Sequence, residues 1–410
     1  MRGMARREDM LRFLLLLPLL LNVKPPRIPA DPDYFIILGA PDSFSKDIPP
    51  SPPESQRKIG FGIVLFTLRT PWSQLRQQVE QALDTAQRAN YPLLIHMDDW
   101  NFPPANETPD WAEWIGFPQP GEKHGPLVKQ RWFDWGQWVV SGPPPNYECP
   151  EFRAYMRQQI EKGVVKPVAE RLKRWRREGR SYLFAGLVMG WESGYYSMPT
   201  MPIPSPKSGS VVFDQSDVVT TGYAALSDIG YNAKRLYTEA KKKGITEQDL
   251  FRQLMTKVVH DYTEYLCRLC VQGGIPRNRV YTHYTPSATI MSPEQIASDG
   301  RLLPVSAAVN RYSRPGYTMT HGWMDREKTL AGIWKAGRKR WGAVEMEIVP
   351  GCDTEQECLN HFDWLTNHGA KVLCLYGWTQ EKGTQFAVNG SGAMGAIRKW
   401  LEGDTGKSHR

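Results

Sequence analysis

Cysteine is scarce and badly spaced for metal. Six occur among 410 residues. Cys267 and Cys270 form the single C-x-x-C, and no second C-x-x-C or H-x-x-x-H partners it, which excludes a zinc-finger or zinc-ribbon centre. That pair falls on one predicted helix and is poorly placed to bridge. Cys352 and Cys358 flank a short loop and could bridge; Cys149 and Cys374 are isolated. Mostly free, buried thiols are expected. No glycine-rich phosphate loop follows any candidate strand, which argues against the dinucleotide-binding class. No basic stripe interleaved with aromatics exists despite a net charge of +8. KRWRR at 173–177, KKK at 241–243 and GRKRW at 337–341 sit near predicted helix C-termini, where cations complement the macrodipole. Nucleic acid is therefore not an expected partner. There is no internal repeat. The apolar run Phe13–Leu21 is too short to span a bilayer as a helix. With basic residues before it, it fits the apolar core of a signal peptide. Residues 1–33 are read as a leader with a proline-rich linker, secreted or periplasmic localisation is expected, and stable membrane insertion is not.

What is present is a regular alternation. Apolar runs at 34–39 (YFIILG), 60–66, 92–97 (PLLIHM), 182–189 (YLFAGLVM), 279–284 (RVYTHY), 304–310 (PVSAAVN), 342–349 (GAVEMEIV) and 371–378 (KVLCLYGW) read as strands. Helical patterns separate most of them: 73–89 with a Ser73 start, 150–178 with a possible break at Pro167, 226–243, 246–272, 292–300, 325–340, 354–370 with a Thr-led start, and 392–402. Short apolar strands alternating with helices imply a parallel sheet, and eight of them predict an α/β (β/α)8 TIM barrel over 34–402, with a tail at 403–410. Only the first link, 39–60, lacks a helical pattern. Long aromatic-rich insertions follow strands 3 and 4, at 99–149 and 193–225. They leave from strand C-termini, the face on which barrels build their sites. The first holds Trp100, Trp111, Trp114, Trp132, Trp135 and Trp138, flat rings that pair with the C–H faces of sugars or with one another.

Carboxylates at strand ends are the sharpest signal, since an ionised group is costly to bury unless it is paired or used. In VMGWESG, Glu192 closes the fourth strand. In GAVEMEIV, Glu345 and Glu347 are two apart and so face one way, into the barrel, with Val344, Met346 and Ile348 facing the helices. Two carboxylates across a barrel mouth are what glycosidic cleavage requires: one protonated, to donate to the leaving oxygen, and one ionised, to attack the anomeric carbon or activate water. The Trp191 indole beside Glu192 would disfavour ionisation there.

With those residues in view, the chain resembles the (β/α)8 glycoside hydrolases of clan A. Their acid/base and nucleophile are glutamates at the ends of strands four and seven. The matching residues are Glu192 in VMGWESG and Glu347, or Glu345, in VEMEIVPG. Trp378 in LCLYGW matches the aromatic that often lies under the sugar at the end of strand eight. Where the clan usually has Asn before the acid/base, this chain has Trp191. The resemblance implies a glycosidase, with a retaining mechanism, acting on an oligo- or polysaccharide without a cofactor.

Other polar residues complete the expected mouth. His96 and Asp98 alternate inward in LLIHMDDWNF, and Asp99 and Trp100 begin the insertion. His283 and Tyr284 lie on the fifth run, and Asn310 after the sixth. These, with Trp191 and Trp378, are the candidate substrate-binding residues. Two rival functions remain: a metal-dependent barrel hydrolase using His96, Asp98 and His283, and a non-catalytic carbohydrate-binding barrel.

Overall fold

The computed structural model describes residues 32–39, 50–99, 110–127, 130–134, 137–141, 143–194, 197–199, 218–285, 303–319, 326–346, 354–375 and 392–403. Eight parallel strands form the sheet: β1 (Tyr34–Gly39), β2 (Arg57–Phe66), β3 (Leu93–Asp98), β4 (Phe184–Met189), β5 (Val280–Thr282), β6 (Gly316–Thr318), β7 (Trp341–Met346) and β8 (Ala370–Leu375). Their order in the sheet is β6-β7-β8-β1-β2-β3-β4-β5. The ends meet through bridges Tyr281–Arg314 and Tyr284–Tyr317, which close the barrel. This is the expected (β/α)8 fold.

Both faces of every strand are covered, and so the strands are apolar nearly throughout. On β1, Phe35 and Ile37 point inward while Ile36 and Leu38 join the outer core beneath the helices. On β3, Leu94 is inward and Leu93, Ile95 and Met97 are outward. The barrel axis is filled by Phe35, Ile37, Leu94, Val188, Val344 and Val372 around the buried ring of Tyr281. That ring has room because two facing strands carry no side chain beside it. A Cβ at Gly186 would lie 3.0 Å from Tyr281 Cε2, and one at Gly342 would lie 2.9 Å from its Cδ1.

The outer layer comprises α1 (Trp72–Ala89), α2 (Pro150–Gln158), α3 (Lys166–Arg177), α4 (Tyr223–Asp228), α5 (Ala233–Lys243), α6 (Glu247–Gln272), α7 (Arg326–Lys335), α8 (Glu355–Asn367) and α9 (Ala393–Glu402). On α1, Leu75, Val79, Leu83 and Ala86 form the buried stripe that the 3.6-residue period predicts. It begins at Trp72 behind Pro71, so Ser73 lies inside the first turn rather than capping it. Thr354 does cap α8: its hydroxyl accepts from Glu357 N–H and the Glu357 carboxylate accepts from Thr354 N–H. No break occurs at Pro167. A π-helical turn, Gln159–Val165, leads from α2 into α3 without leaving helical dihedrals, and Pro167 follows this widened turn directly.

One strand differs from its expected place. Residues 304–310 form not the sixth strand but a 3-10 turn, Val305–Ala308, opened by Pro304 at φ −59°. Proline presets the turn, and the following Ser-Ala-Ala segment lacks the branched side chains that fill a barrel slot. The slot goes to Gly316–Thr318, whose Tyr317 is fully buried and donates to the Val305 carbonyl at 2.9 Å. Cys149, Cys267, Cys270 and Cys374 are free thiols, and Cys352 lies outside the described residues. No helix among the described residues is long and apolar enough to cross a membrane.

Candidate active site

Three rings floor the barrel at the C-terminal ends of its strands. His96 from β3 meets Trp191, just past β4, edge-on at 5.4 Å. Trp191 meets His283, just past β5, at 5.1 Å, and the two imidazoles are 6.1 Å apart. Both histidines are fully buried. Burial, reinforced by neighbouring His283, holds the His96 pKa well below the ordinary imidazole value, so His96 is neutral. Its Nε2 lies 3.7 Å from the Cys374 thiol on β8.

Glu192 rises above this floor. The chain turns at Gly190 (φ 71°), Trp191 swings into the barrel, and Glu192 is held at φ 43°, a left-handed conformation that is uncommon outside glycine. Its Oε1 accepts from the hydroxyls of Thr285 and Thr318, each at 2.7 Å. Glu345 approaches from β7. A bulge aims it: Tyr317 pairs with Ala343 but Thr318 with Glu345, so Val344 is an extra residue. The expected alternation put Val344 against the helices. The bulge instead turns both Val344 and Glu345 inward, while Met346 returns to the outer core.

A relay runs from His283 to Glu192, and Glu345 stands next to its start. His283 Nε2 lies 2.9 Å from Thr318 Oγ1 and passes Glu345 Oε2 at 3.1 Å. The Thr318 hydroxyl spends its single proton on Glu192, so toward His283 it can only accept. That assigns the proton to Nε2. The other ring nitrogen, Nδ1, is buried with no partner among the described residues, as befits a lone pair rather than an N–H. The hydrogen-bonded sequence is His283 N–H, Thr318 O–H, Glu192, and Glu345 Oε2 lies beside the same imidazole nitrogen without a hydrogen bond to it. One side-chain ligand atom from each of Glu192, His283 and Glu345 lies within 4.8 Å of the others.

Behind Glu192 lies a second, buried carboxyl. Asp99 has no exposed surface and accepts from the Ser193 hydroxyl at 3.3 and 3.4 Å. Burial pushes its pKa up to about 7, the charge of Asp98 adds to that, and the hydroxyls of Tyr262 and Ser193 oppose it. Tyr262 stacks flat on Tyr147 at 4.2 Å. Asp98 itself is buried at the end of β3.

The structure thus brings together Glu192, Glu345, His283, His96 and Trp191, with Asp98 and Asp99 beside them. Tyr284 and Asn310 fall elsewhere. Tyr284 points outward to α6, 2.5 Å from the Thr263 hydroxyl and donating to the Val259 carbonyl. Asn310 precedes the true sixth strand and so lies toward the N-terminal end of the barrel, its Oδ1 accepting from Tyr312 N–H. Glu347, Trp100 and Trp378 lie outside the described residues. Thr318, Thr285 and Ser193 were not foreseen. Thr318 sits on the strand the sequence pattern hid; the others are small polar residues with no spacing to mark them. Among the described residues, the grouping that could hold a cation is Glu192, His283 and Glu345, not His96, Asp98 and His283.

No family model matches this chain, and no curated protein matches it either. Solved structures do resemble it. The catalytic domain of a β-amylase from Paenibacillus polymyxa shares 9% identity over 92% of this chain and 100% of its own, with a TM-score of 0.49. A β-galactosidase from Rahnella sp. R3 shares 12% identity over 84% of this chain and 50% of its own, at 0.38. A sugar phosphate isomerase/epimerase from Parabacteroides distasonis shares 10% over 83% and 91%, at 0.29.

Proposed function

We propose that this barrel is a glycoside hydrolase in which Glu192 is the general acid/base and Glu345 the nucleophile. One observation carries the reading: carboxylate oxygens from the ends of β4 and β7 approach within 4.8 Å across a ring-lined mouth. Two carboxyl groups this close resist being charged together, so the pair is best served by one shared proton. Glu345 Oε2 lies 3.1 Å from the His283 ring nitrogen, and we assign it the ionised role. Glu192 then carries the shared proton on the oxygen that does not accept from the threonines. A carboxyl separation of about 5–5.5 Å belongs to retaining enzymes, whereas inverting ones leave roughly 6.5–9.5 Å for a water. Retention is therefore the favoured outcome. His96, Asp98, Trp191 and His283 would line the subsite of the cleaved sugar.

The test is turnover of a panel of aryl glycosides by the parent and by Glu192→Gln, Glu345→Gln and Glu347→Gln, with the first-formed anomer read by NMR. Glu192→Gln and Glu345→Gln are expected to lower kcat/KM by roughly 10²–10⁴-fold, with unchanged melting temperatures and a retained anomer. Turnover at parental rates in both variants removes these glutamates from the reaction, and no turnover of any glycoside by the parent leaves a sugar-binding barrel.

A second reading is a divalent-cation centre on Glu192, His283 and Glu345, favoured by the same proximity. It would need the proton moved to His283 Nδ1, where no acceptor stands among the described residues. A buried N–H left unpaired costs about 1–3 kcal/mol, and histidine ligands ordinarily donate that N–H to a partner. Stoichiometric metal whose removal abolishes activity would favour this reading over the first.

A further inference from the structure

A cleft opens on the barrel face opposite the carboxylates, where β5, β6 and β7 begin. Arg277, Ser313, Arg314, Arg338, Lys339 and Arg340 line it around a volume of about 600 Å³. We propose that this cleft binds a small oligoanion, a molecule carrying two or more phosphate or sulfate groups.

Charge is the first argument. Five cationic side chains line the cleft and no carboxylate does. None of the five forms an ion pair with a carboxylate among the described residues. Unneutralised like charges gathered in one concavity raise the local potential and attract an anion. The bland alternative is that 338–340 merely serve the C-terminus of α7, which ends at Lys335. A helix end carries about half a negative charge, far too little to balance five cations, two of which come from other segments.

Pre-organisation is the second argument. Arg314 Nη1 donates to the Tyr281 hydroxyl at 3.3 Å, and Arg338 Nη2 donates to the Asn310 carbonyl at 3.0 Å. Both guanidiniums are half-buried and fixed by neutral acceptors. A guanidinium has five N–H donors, so each keeps most of them for a bidentate tetrahedral oxyanion. Size is the third argument, since about 300–1,000 Å³ is the range of small-molecule sites.

The test is calorimetric titration of the full chain with tripolyphosphate and, separately, with a sulfated disaccharide, at low salt and at physiological salt. Saturable binding that weakens with salt is expected, and the tighter of the two ligands identifies the source. Arg277 and Arg340 are both exposed. The double variant Arg277→Ser/Arg340→Ser should weaken binding by at least about tenfold, the loss of one charge-assisted hydrogen bond. Lys234→Ser/Lys242→Ser, exposed on α5, removes the same charge elsewhere and should change it less than about twofold. The idea is overturned by equal losses in the two double variants or by no saturable binding of either ligand at physiological salt.

Discussion

Asp99 shows how one side chain can set the conduct of another that it does not touch. It holds Ser193, the residue after Glu192, and Glu192 is the strained, left-handed position. Its carboxyl is buried among Ser193, Tyr262 and the neighbouring charge of Asp98, and its pKa stands at about 7. An unfolded aspartate titrates near 3.9. Between about pH 4 and about pH 7 the native state therefore keeps a proton that the unfolded chain has shed. Stability then falls as pH rises, by linkage, and the loss is complete above the folded pKa. Asparagine resembles the protonated acid and cannot ionise. Asp99→Asn should match the parent in melting temperature near pH 4, gain on it steadily up to about pH 7, and keep a constant advantage to pH 8. Scanning fluorimetry across that range decides it; a difference that does not vary with pH would mean that Asp99 is not titrating there.

At the scale of elements, the two insertions are tied together by a single carboxylate. Glu113, fully buried in the first insertion, accepts from the backbone N–H of Ala224 and of Ala225 at the start of α4, and from its neighbour Trp114 at 3.0 Å. It caps a helix that begins at the end of the second insertion and has no side-chain cap of its own. Glu113→Ala would orphan buried donors at about 1–3 kcal/mol, whereas Glu113→Gln keeps a carbonyl acceptor and should lose less. Urea denaturation gives the stability change, and faster amide exchange confined to 224–225 would locate it; parental stability in the alanine variant would refute the clamp.

The same scale explains what the sequence made legible. β1, β3 and β4 were readable because strands buried on both faces are apolar runs of strand length, and His96, Glu192 and Glu345 stood out as polar groups ending such runs. β6 was not readable. Three residues after a proline carry no periodicity, while PVSAAVN next to them looks like a strand and is a turn. With β6 went Thr318, the hydroxyl that joins His283 to Glu192. The bulge at Val344 was hidden for a related reason: an inserted residue leaves the local composition apolar and alters only the pairing. Asp99 was legible as an acid near the mouth, but its burial depends on Tyr147 and Tyr262, which come from distant segments.

For the whole molecule, the barrel closes at its thinnest seam, and the candidate site lies on it. β5 and β6 are three residues each and pair only through isolated bridges, whereas β2 and β3 pair over six consecutive positions. The seam is held by Thr282 N–H to the Arg314 carbonyl, Tyr284 N–H to Gly316, Arg314 N–H to Val280 and Thr318 N–H to Tyr284, at 2.9–3.2 Å. Fewer cooperating bonds mean that this edge opens at lower free energy than the centre of the sheet. It also carries His283, Thr285 and Thr318, so opening the seam breaks the hydrogen bonds that hold Glu192 and connect it to His283. Native-state hydrogen exchange should show the amides of Thr282, Tyr284 and Thr318 exchanging before those of Ile63, Val64 and Ile95. A ligand that bridges the two carboxylates should slow the first group selectively, because it binds the closed form alone. Uniform protection around the barrel, with or without ligand, would show that closure and the site are not coupled in this way.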